Sequence, residues 1–267
     1  MKFTWFNLMP TVVETRKGTR CRVLDGGSGD PVVFFHGAGG WLRDNPFLDG
    51  LARRYHVYAP EWPGYGDSTG DELLEDMLDF ALHGWDLVDA LGLSRPHLAG
   101  HSMGGMIAAE MACLAPRDLD RLVLASPTGL WMDAHPIPDI FAMLPYELAE
   151  VLFHDPERGQ TLLTGGADLS DLEALKEFYL ASQRRLAMAG KILFPIPNRR
   201  LSKRLYRLAA ETLIVWGAAD RLIVPAYAAR WATLMPGARV EMVDAAGHML
   251  PWEQPEAFTR VLGEFLG

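Results

Sequence analysis

The sequence predicts an α/β fold in which helices flank a mostly parallel sheet and a helical cap is inserted between two strands. Three observations carry this. Short β-branched or apolar runs alternate with stretches of helical period. The later runs are continuously apolar, as strands buried on both faces require. About 80 residues of largely helical pattern then separate two of the runs, far more than a strand-to-helix connection needs. Composition agrees: of 267 residues, 49% are hydrophobic and 22% charged, enough apolar surface for a large core and too much for a disordered tail.

The runs expected as strands are 11–14, 20–24, 32–35, 56–59, 97–99, 122–125, 212–216 and 239–243, the first two forming a hairpin. A helix is expected over 74–91, with Leu78, Ala81, Leu82, Trp85, Val88 and Leu91 on its apolar face. Another is expected over 103–115, carrying Met103, Ile107 and Met111 and stopped by Pro116. Pro255 starts the last helix, which presents Phe258, Val261, Leu262 and Phe265. The core therefore comprises 1–130 and 210–267, and the cap 131–209. Within the cap the clearest helix is 170–189, with Leu172, Leu175, Tyr179 and Leu186 on one face, while Pro136, Pro138, Pro145, Pro195 and Pro197 break the rest.

Charge removes several function classes. With 25 Lys+Arg against 34 Asp+Glu the net charge is -9, which offers no general attraction for nucleic acid or an anionic membrane. There is no run of 18 apolar residues and no signal-like N-terminal segment, so a cytoplasmic protein acting on a small molecule is expected, as monomer or homodimer. Cys21 and Cys113 are expected as free thiols, and without a CxxC pair no metal centre is expected.

The chemistry concentrates in three places. Gly100-His101-Ser102-Met103-Gly104 makes a GxSxG pattern between an expected strand and an expected helix, where a serine nucleophile sits on a tight turn at a positive helix end. A serine needs a base within hydrogen-bond reach and a third group to orient that base. Asp220 follows the strand TLIVW and His248 follows the strand RVEMV, so Ser102, Asp220 and His248 are the candidate triad. Asp133 and Asp244 are the rival acids, disfavoured because one lies on the way into the cap and the other only four residues from the histidine. The turn Gly37-Ala38-Gly39-Gly40 is the candidate oxyanion hole, with the Ala38 N–H (Gly39 as the alternative) paired with that of Met103. This chemistry requires no cofactor, and the glycines match neither phosphate-binding pattern.

The segments VVFFHGAGGW, APEWPGYGDST, GHSMGG, TLIVWGAADRLIVP and AAGHMLPWEQP together resemble the α/β-hydrolase superfamily in their order along nearly the whole chain outside the cap. The resemblance implies an eight-stranded, mostly parallel sheet with a lid after the sixth strand. It also implies Ser102 as nucleophile, His248 as general base and acid, and Asp220 as its partner. A serine at 102 argues against epoxide hydrolases and haloalkane dehalogenases. In such a fold His36 braces loops, His101 packs beside the nucleophile, and Trp62, Tyr65, Asp67 and Ser68 form a folding loop. The basic run 198–207, with Arg199, Arg200, Lys203, Arg204 and Arg207, is expected as a solvated helix face from which one arginine can reach the pocket. Trp131, Phe141, Leu144 and Tyr179 are the candidate pocket walls. An esterase acting on a small to medium apolar ester is the leading expectation. GAGGW followed by Asn45 also resembles carbon–carbon bond hydrolases of ring-fission products, and a non-catalytic ligand-binding receptor on the same fold is the third reading.

Overall fold

In the computed structural model residues 8–196 and 200–267 are described, except for the side chains of Pro145 and Tyr146; Pro197, Asn198 and Arg199 of the sequence reading lie outside the described residues. Eight strands form one sheet: β1 (Met9–Glu14), β2 (Arg20–Gly27), β3 (Pro31–Phe35), β4 (His56–Pro60), β5 (His97–His101), β6 (Arg121–Ala125), β7 (Glu211–Gly217) and β8 (Arg239–Val243). Their order is β1-β2-β4-β3-β5-β6-β7-β8, antiparallel among β1, β2 and β4 and parallel from β4 onward.

Strand alternation divides the core into two layers. Val33 and Phe35 of β3 join Leu98, Leu122, Leu124, Ile214 and Trp216 on one face, while Val32 and Phe34 join Ala99, Val123, Leu213 and Val215 on the other. The first face is covered by α2 (Met77–Ala90), α3 (Met103–Leu114) and α7 (Ala226–Leu234), the second by α1 (Pro46–Ala52), α8 (Leu250–Glu253) and α9 (Pro255–Leu266). β8 departs from the expected two-sided burial. As the edge strand it leaves Val240 and Met242 exposed.

The face of α2 also differs from the expected one. Leu78 and Leu82 are exposed, and Phe80, Ala81, His83, Gly84, Leu87 and Val88 are buried instead. Gly84 explains the shift: a Cβ there would lie 2.3 Å from Met111 Sδ, so the helix presents its missing side chain to α3 and approaches closely. The helix starts at Asp76, whose side chain accepts from the N–H groups of Leu78 and Asp79.

Between β6 and β7 lie α4 (Pro145–Leu152), α5 (Pro156–Thr164) and α6 (Leu172–Leu193), followed by two short 3-10 turns. Only Met188, Ala189 and Ile192 of α6 are buried, and Leu172 and Tyr179 of the expected apolar face are exposed. From Phe178 onward α6 lines a cavity with Tyr179 and Leu186, whereas Leu172 and Leu175 are exposed away from it. The described part of the basic run, 200–207, is likewise two short 3-10 turns and not a solvated helix. Arg204 Nε donates to Glu110 Oε2 at 2.7 Å and Arg207 Nε to the Cys113 carbonyl at 2.7 Å, so these two guanidinium groups fasten the end of the insert to α3. Cys21 and Cys113 are buried free thiols, with burial as the main cause pushing both up to about 12. No described helix is long and apolar enough to cross a membrane.

Candidate active site

The turn from β5 into α3 holds Ser102 at φ 54° and ψ -115°, a conformation that L-residues rarely adopt. Its glycines are forced by close backbone approach. A Cβ on Gly100 would lie 2.4 Å from the Gly104 carbonyl carbon, and one on Gly104 would lie 2.2 Å from the Phe35 carbonyl oxygen. The strained turn is tied down by the Ser102 N–H donating to Ala125 O at 2.9 Å.

The structure brings the three sequence-predicted residues together. Ser102 Oγ lies 2.9 Å from His248 Nε2, and His248 Nδ1 lies 2.9 Å from Asp220 Oδ2. All three side chains are buried. Asp220 Oδ1 accepts from the N–H groups of Leu222 (3.0 Å) and Ile223 (2.8 Å), which fixes the carboxylate and leaves Oδ2 for the histidine. Asp133 instead accepts from the Trp131 indole at 2.8 Å near the surface, and Asp244 is exposed.

The glycine turn lies against the serine. A Cβ on Gly37 would be 3.2 Å from Ser102 Cβ, so a larger residue would press on Ser102. The turn's own hydrogen bond runs from Gly40 N–H to Gly37 O at 3.1 Å and leaves the Ala38 N–H out. Met103 opens α3, so its N–H has no carbonyl one turn back within the helix. His36 braces the turn, with Nδ1 against Gly37 O at 2.8 Å and Nε2 accepting from the Trp62 N–H at 3.2 Å; burial holds it neutral, its pKa down at about 4. Tyr65 OH reaches both Ala38 O and Arg185 O at 3.1 Å.

His101 does more than pack. Its Nε2 donates to the His248 carbonyl at 2.8 Å, its Nδ1 is buried without a partner, and burial first, then the nearby His248, push its pKa down to about 3. His97 and His101 stand four residues apart, but on a strand that spacing puts them roughly 13 Å apart at opposite ends of β5. No cluster of three metal-ligating side chains occurs among the described residues.

Ser102 opens on a cavity of about 210 Å³. Phe141 and Tyr179 line it as expected, with Ile137, Ile140, Leu222 and Ile223. Trp131 and Leu144 do not. Leu144 caps α4 with its side chain exposed, and the Trp131 indole turns to Asp133. The segment carrying them has no regular period, so apolar character alone could not say which side chains turn inward. The guanidinium at this cavity is Arg185, outside the basic run.

A further group of contacts ties the insert to the loops that carry Asp220 and His248. Glu253 Oε1 accepts from His154 N–H at 2.6 Å and Oε2 from Gly247 N–H at 2.7 Å, while Met249 N–H donates to Leu152 O at 3.0 Å. Arg221 donates to the Phe153 carbonyl. Residues 152–154 are thus bonded to neighbours of both Asp220 and His248.

Against this geometry, a model of the Alpha/beta hydrolase family matches residues 32–261. The chain belongs to that family. This hydrolase is 30% identical to a 2-hydroxy-6-oxo-6-phenylhexa-2,4-dienoate hydrolase of Comamonas testosteroni, over 91% of this chain and 89% of the relative. It is also 30% identical to a 2-hydroxy-6-oxononadienedioate/2-hydroxy-6-oxononatrienedioate hydrolase of Burkholderia vietnamiensis (strain G4 / LMG 22486), over 96% and 93%. In structure the hydrolase resembles a bacterial membrane phospholipase A with a TM-score of 0.79 and 25% identity, over 97% of this chain and 86% of that one.

Proposed function

We propose that this hydrolase cleaves the carbon–carbon bond beside a ketone in a vinylogous 1,5-diketone acid that carries an apolar substituent on the reacting carbonyl. The observation that carries the reading is a Ser102–His248–Asp220 hydrogen-bonded chain opening on an apolar cavity, in a chain whose relatives bear the names of such hydrolases. Among the described residues lining that cavity there is no carboxylate and one guanidinium, that of Arg185, so an aryl or alkyl group suits its walls better than a second carboxylate.

The roles follow from position. His248 Nε2 takes the Ser102 proton as Oγ attacks the ketone, and Asp220 holds Nδ1 protonated so that Nε2 is free to act as the base. The N–H groups of Ala38 and Met103 receive the oxyanion. In the keto form of the substrate a saturated C5 lies between the ketone and an enone, so the pair released when C5–C6 breaks spreads to the C2 oxygen. Water activated by His248 then releases the acid from Ser102. Atoms balance: one water enters, its OH joining the acyl group and its hydrogen completing the pentadienoate.

The similarity to a phospholipase A favours ester cleavage as the second reading. Turnover of 2-hydroxy-6-oxo-6-phenylhexa-2,4-dienoate, compared with a series of p-nitrophenyl esters, decides between them. Higher kcat/KM on the dienoate is expected; activity confined to esters would overturn the proposal. Ser102→Ala should remove either activity, and retained full turnover would refute the assignment of the nucleophile.

A further inference from the structure

His101 ends β5, paired with Ala125 of β6 and directly before Ser102, so the sheet fixes its backbone. Its ring is buried, meets Trp252 edge-on at 5.3 Å between centroids, and stands 5.0 Å from the His248 ring. Nε2 lies 2.8 Å from the His248 carbonyl oxygen; a carbonyl can only accept, so Nε2 carries the proton and Nδ1 does not. Among the described residues no other hydrogen-bond donor reaches that carbonyl. The neighbours of His248 are held from elsewhere, Gly247 by Glu253 and Met249 by Leu152 of the insert. The His101 bond is therefore the one through which the strand presenting Ser102 holds the backbone of the base. Its other nitrogen has no such use. Nδ1 is buried without a partner beside Gly37, where a Cβ would lie 3.0 Å away. An unpaired buried acceptor lowers stability, so folding alone gives no reason to keep a histidine here.

We propose that His101 is a positioning residue, whose Nε2–H bond to the His248 carbonyl sets the distance between Ser102 Oγ and His248 Nε2. One strand end then carries both the nucleophile and the anchor of its base, across the 146 residues that separate them in the chain. The tolerance is small: moving the His248 loop by ~1 Å takes the 2.9 Å contact between Oγ and Nε2 beyond hydrogen-bond range. An imidazole suits the task because its donor sits far from Cα on a rigid ring, with fewer rotatable bonds to immobilise than the glutamine that reaches equally far. Burial first, and the nearby His248 second, keep the His101 ring uncharged, so it adds no like charge when His248 becomes an imidazolium. The inference rests on the roles given above to Ser102 and His248, and it holds for carbon–carbon and ester cleavage alike.

The test is inactivation of the full chain by diethyl p-nitrophenyl phosphate, which phosphorylates an activated serine and releases p-nitrophenolate whatever the natural substrate. Three variants separate donor from bulk. His101→Asn places its amide where Nδ1 stands, short of the His248 carbonyl; His101→Gln can reach that carbonyl; His101→Phe keeps a ring against Trp252 and has no donor. The asparagine and phenylalanine variants are expected to lower the limiting inactivation rate by about 10- to 100-fold, with the half-saturating concentration within about threefold of wild type. The glutamine variant should recover the rate to within about fivefold of wild type, since its amide restores the bond. A side chain that merely fills space would instead favour phenylalanine over glutamine. An asparagine or phenylalanine variant that keeps the wild-type rate, or a glutamine variant as slow as the asparagine one, would overturn the proposal. Should His101→Asn not fold, the comparison of phenylalanine with glutamine reads the donor under the same limits. Wild-type protein that releases no p-nitrophenolate would overturn the nucleophile assignment and this role with it. A protein that reacts with the phosphate triester yet is inert toward the phenylhexadienoate would count against the carbon–carbon reading alone.

Discussion

At Ser102 the backbone pays for reactivity with a φ of 54°, and the return is a hydroxyl held 2.9 Å from an imidazole nitrogen before any substrate arrives. Asp220 shows how one carboxylate serves two ends: Oδ1 is spent on two backbone N–H groups and Oδ2 on His248. Asp220→Asn preserves the Oδ1 bonds, and thus the fold, but presents an amide N–H to Nδ1 and selects the wrong histidine tautomer. A fall in kcat on the order of 10⁴ is expected, measured beside an unchanged circular dichroism spectrum; a rate within tenfold of wild type would refute the role. These residues were legible in the sequence because strand, nucleophile turn, acid and histidine occur at positions where local pattern fixes geometry. Arg185 and Glu253 were not legible. Arg185 meets Gly39, and Glu253 meets His154, only when the insert folds back onto the core, the latter across 99 residues, and no local period encodes that.

Among elements, the contact of α3 with β3 is set by absence of side chains. Gly104→Ala would drive a Cβ to 2.2 Å from the Phe35 carbonyl, a backbone atom that cannot rotate away, whereas a Cβ on Gly39 meets nothing within 4 Å. Gly104→Ala is therefore expected to lower stability by about 1–3 kcal/mol, although alanine is the better helix former by about 1 kcal/mol. Gly39→Ala should stay within about 0.5 kcal/mol. Urea denaturation of both variants checks this, and equal midpoints would show that α3 yields. The parallel strands were readable to within two residues at either end, since continuous apolar runs have few alternatives. The face of α2 was misjudged because counting leucines ignores a glycine, and the real contact centres on Gly84. In the insert, apolar stripes on α6 signalled a cavity rather than a core, and sequence pattern cannot separate the two.

The whole molecule carries a charge-linked weakness on the acid side. His36, His83 and His101 are held neutral, with pKa values down at about 4, 4 and 3 against an ordinary 6.5, burial being the largest cause in each. Between pH 6.5 and about 4 the unfolded chain takes up protons that the native state refuses, so stability falls as pH falls through that window. The loss approaches about 2–3 kcal/mol per histidine by pH 4.5. Glu61 and Glu253 act in the opposite direction, since burial raises their pKa and the native state accepts protons there first, which offsets part of the loss. The denaturant midpoint should therefore drop clearly from pH 7 to pH 4.5; a constant or rising midpoint would show that the buried histidines are protonated in the folded protein.

The bonds around residues 152–154 bear on how a substrate enters. Lifting α4 and α5 away from the sheet breaks the His154–Glu253 contact, the Met249–Leu152 bond and the Arg221 contact together, at roughly 0.5–1.5 kcal/mol each and more for those to charged groups. Elsewhere in the insert, Gly165 at the end of α5 and Arg185 in α6 meet Arg43 and the glycine turn through contacts of 3.3–3.4 Å. The insert is thus held by short bonds beside His248 and by longer contacts where Gly165 and Arg185 meet the core. A displacement confined to Gly165 and Arg185 breaks only the longer contacts and leaves in place the bonds that hold the loop carrying His248.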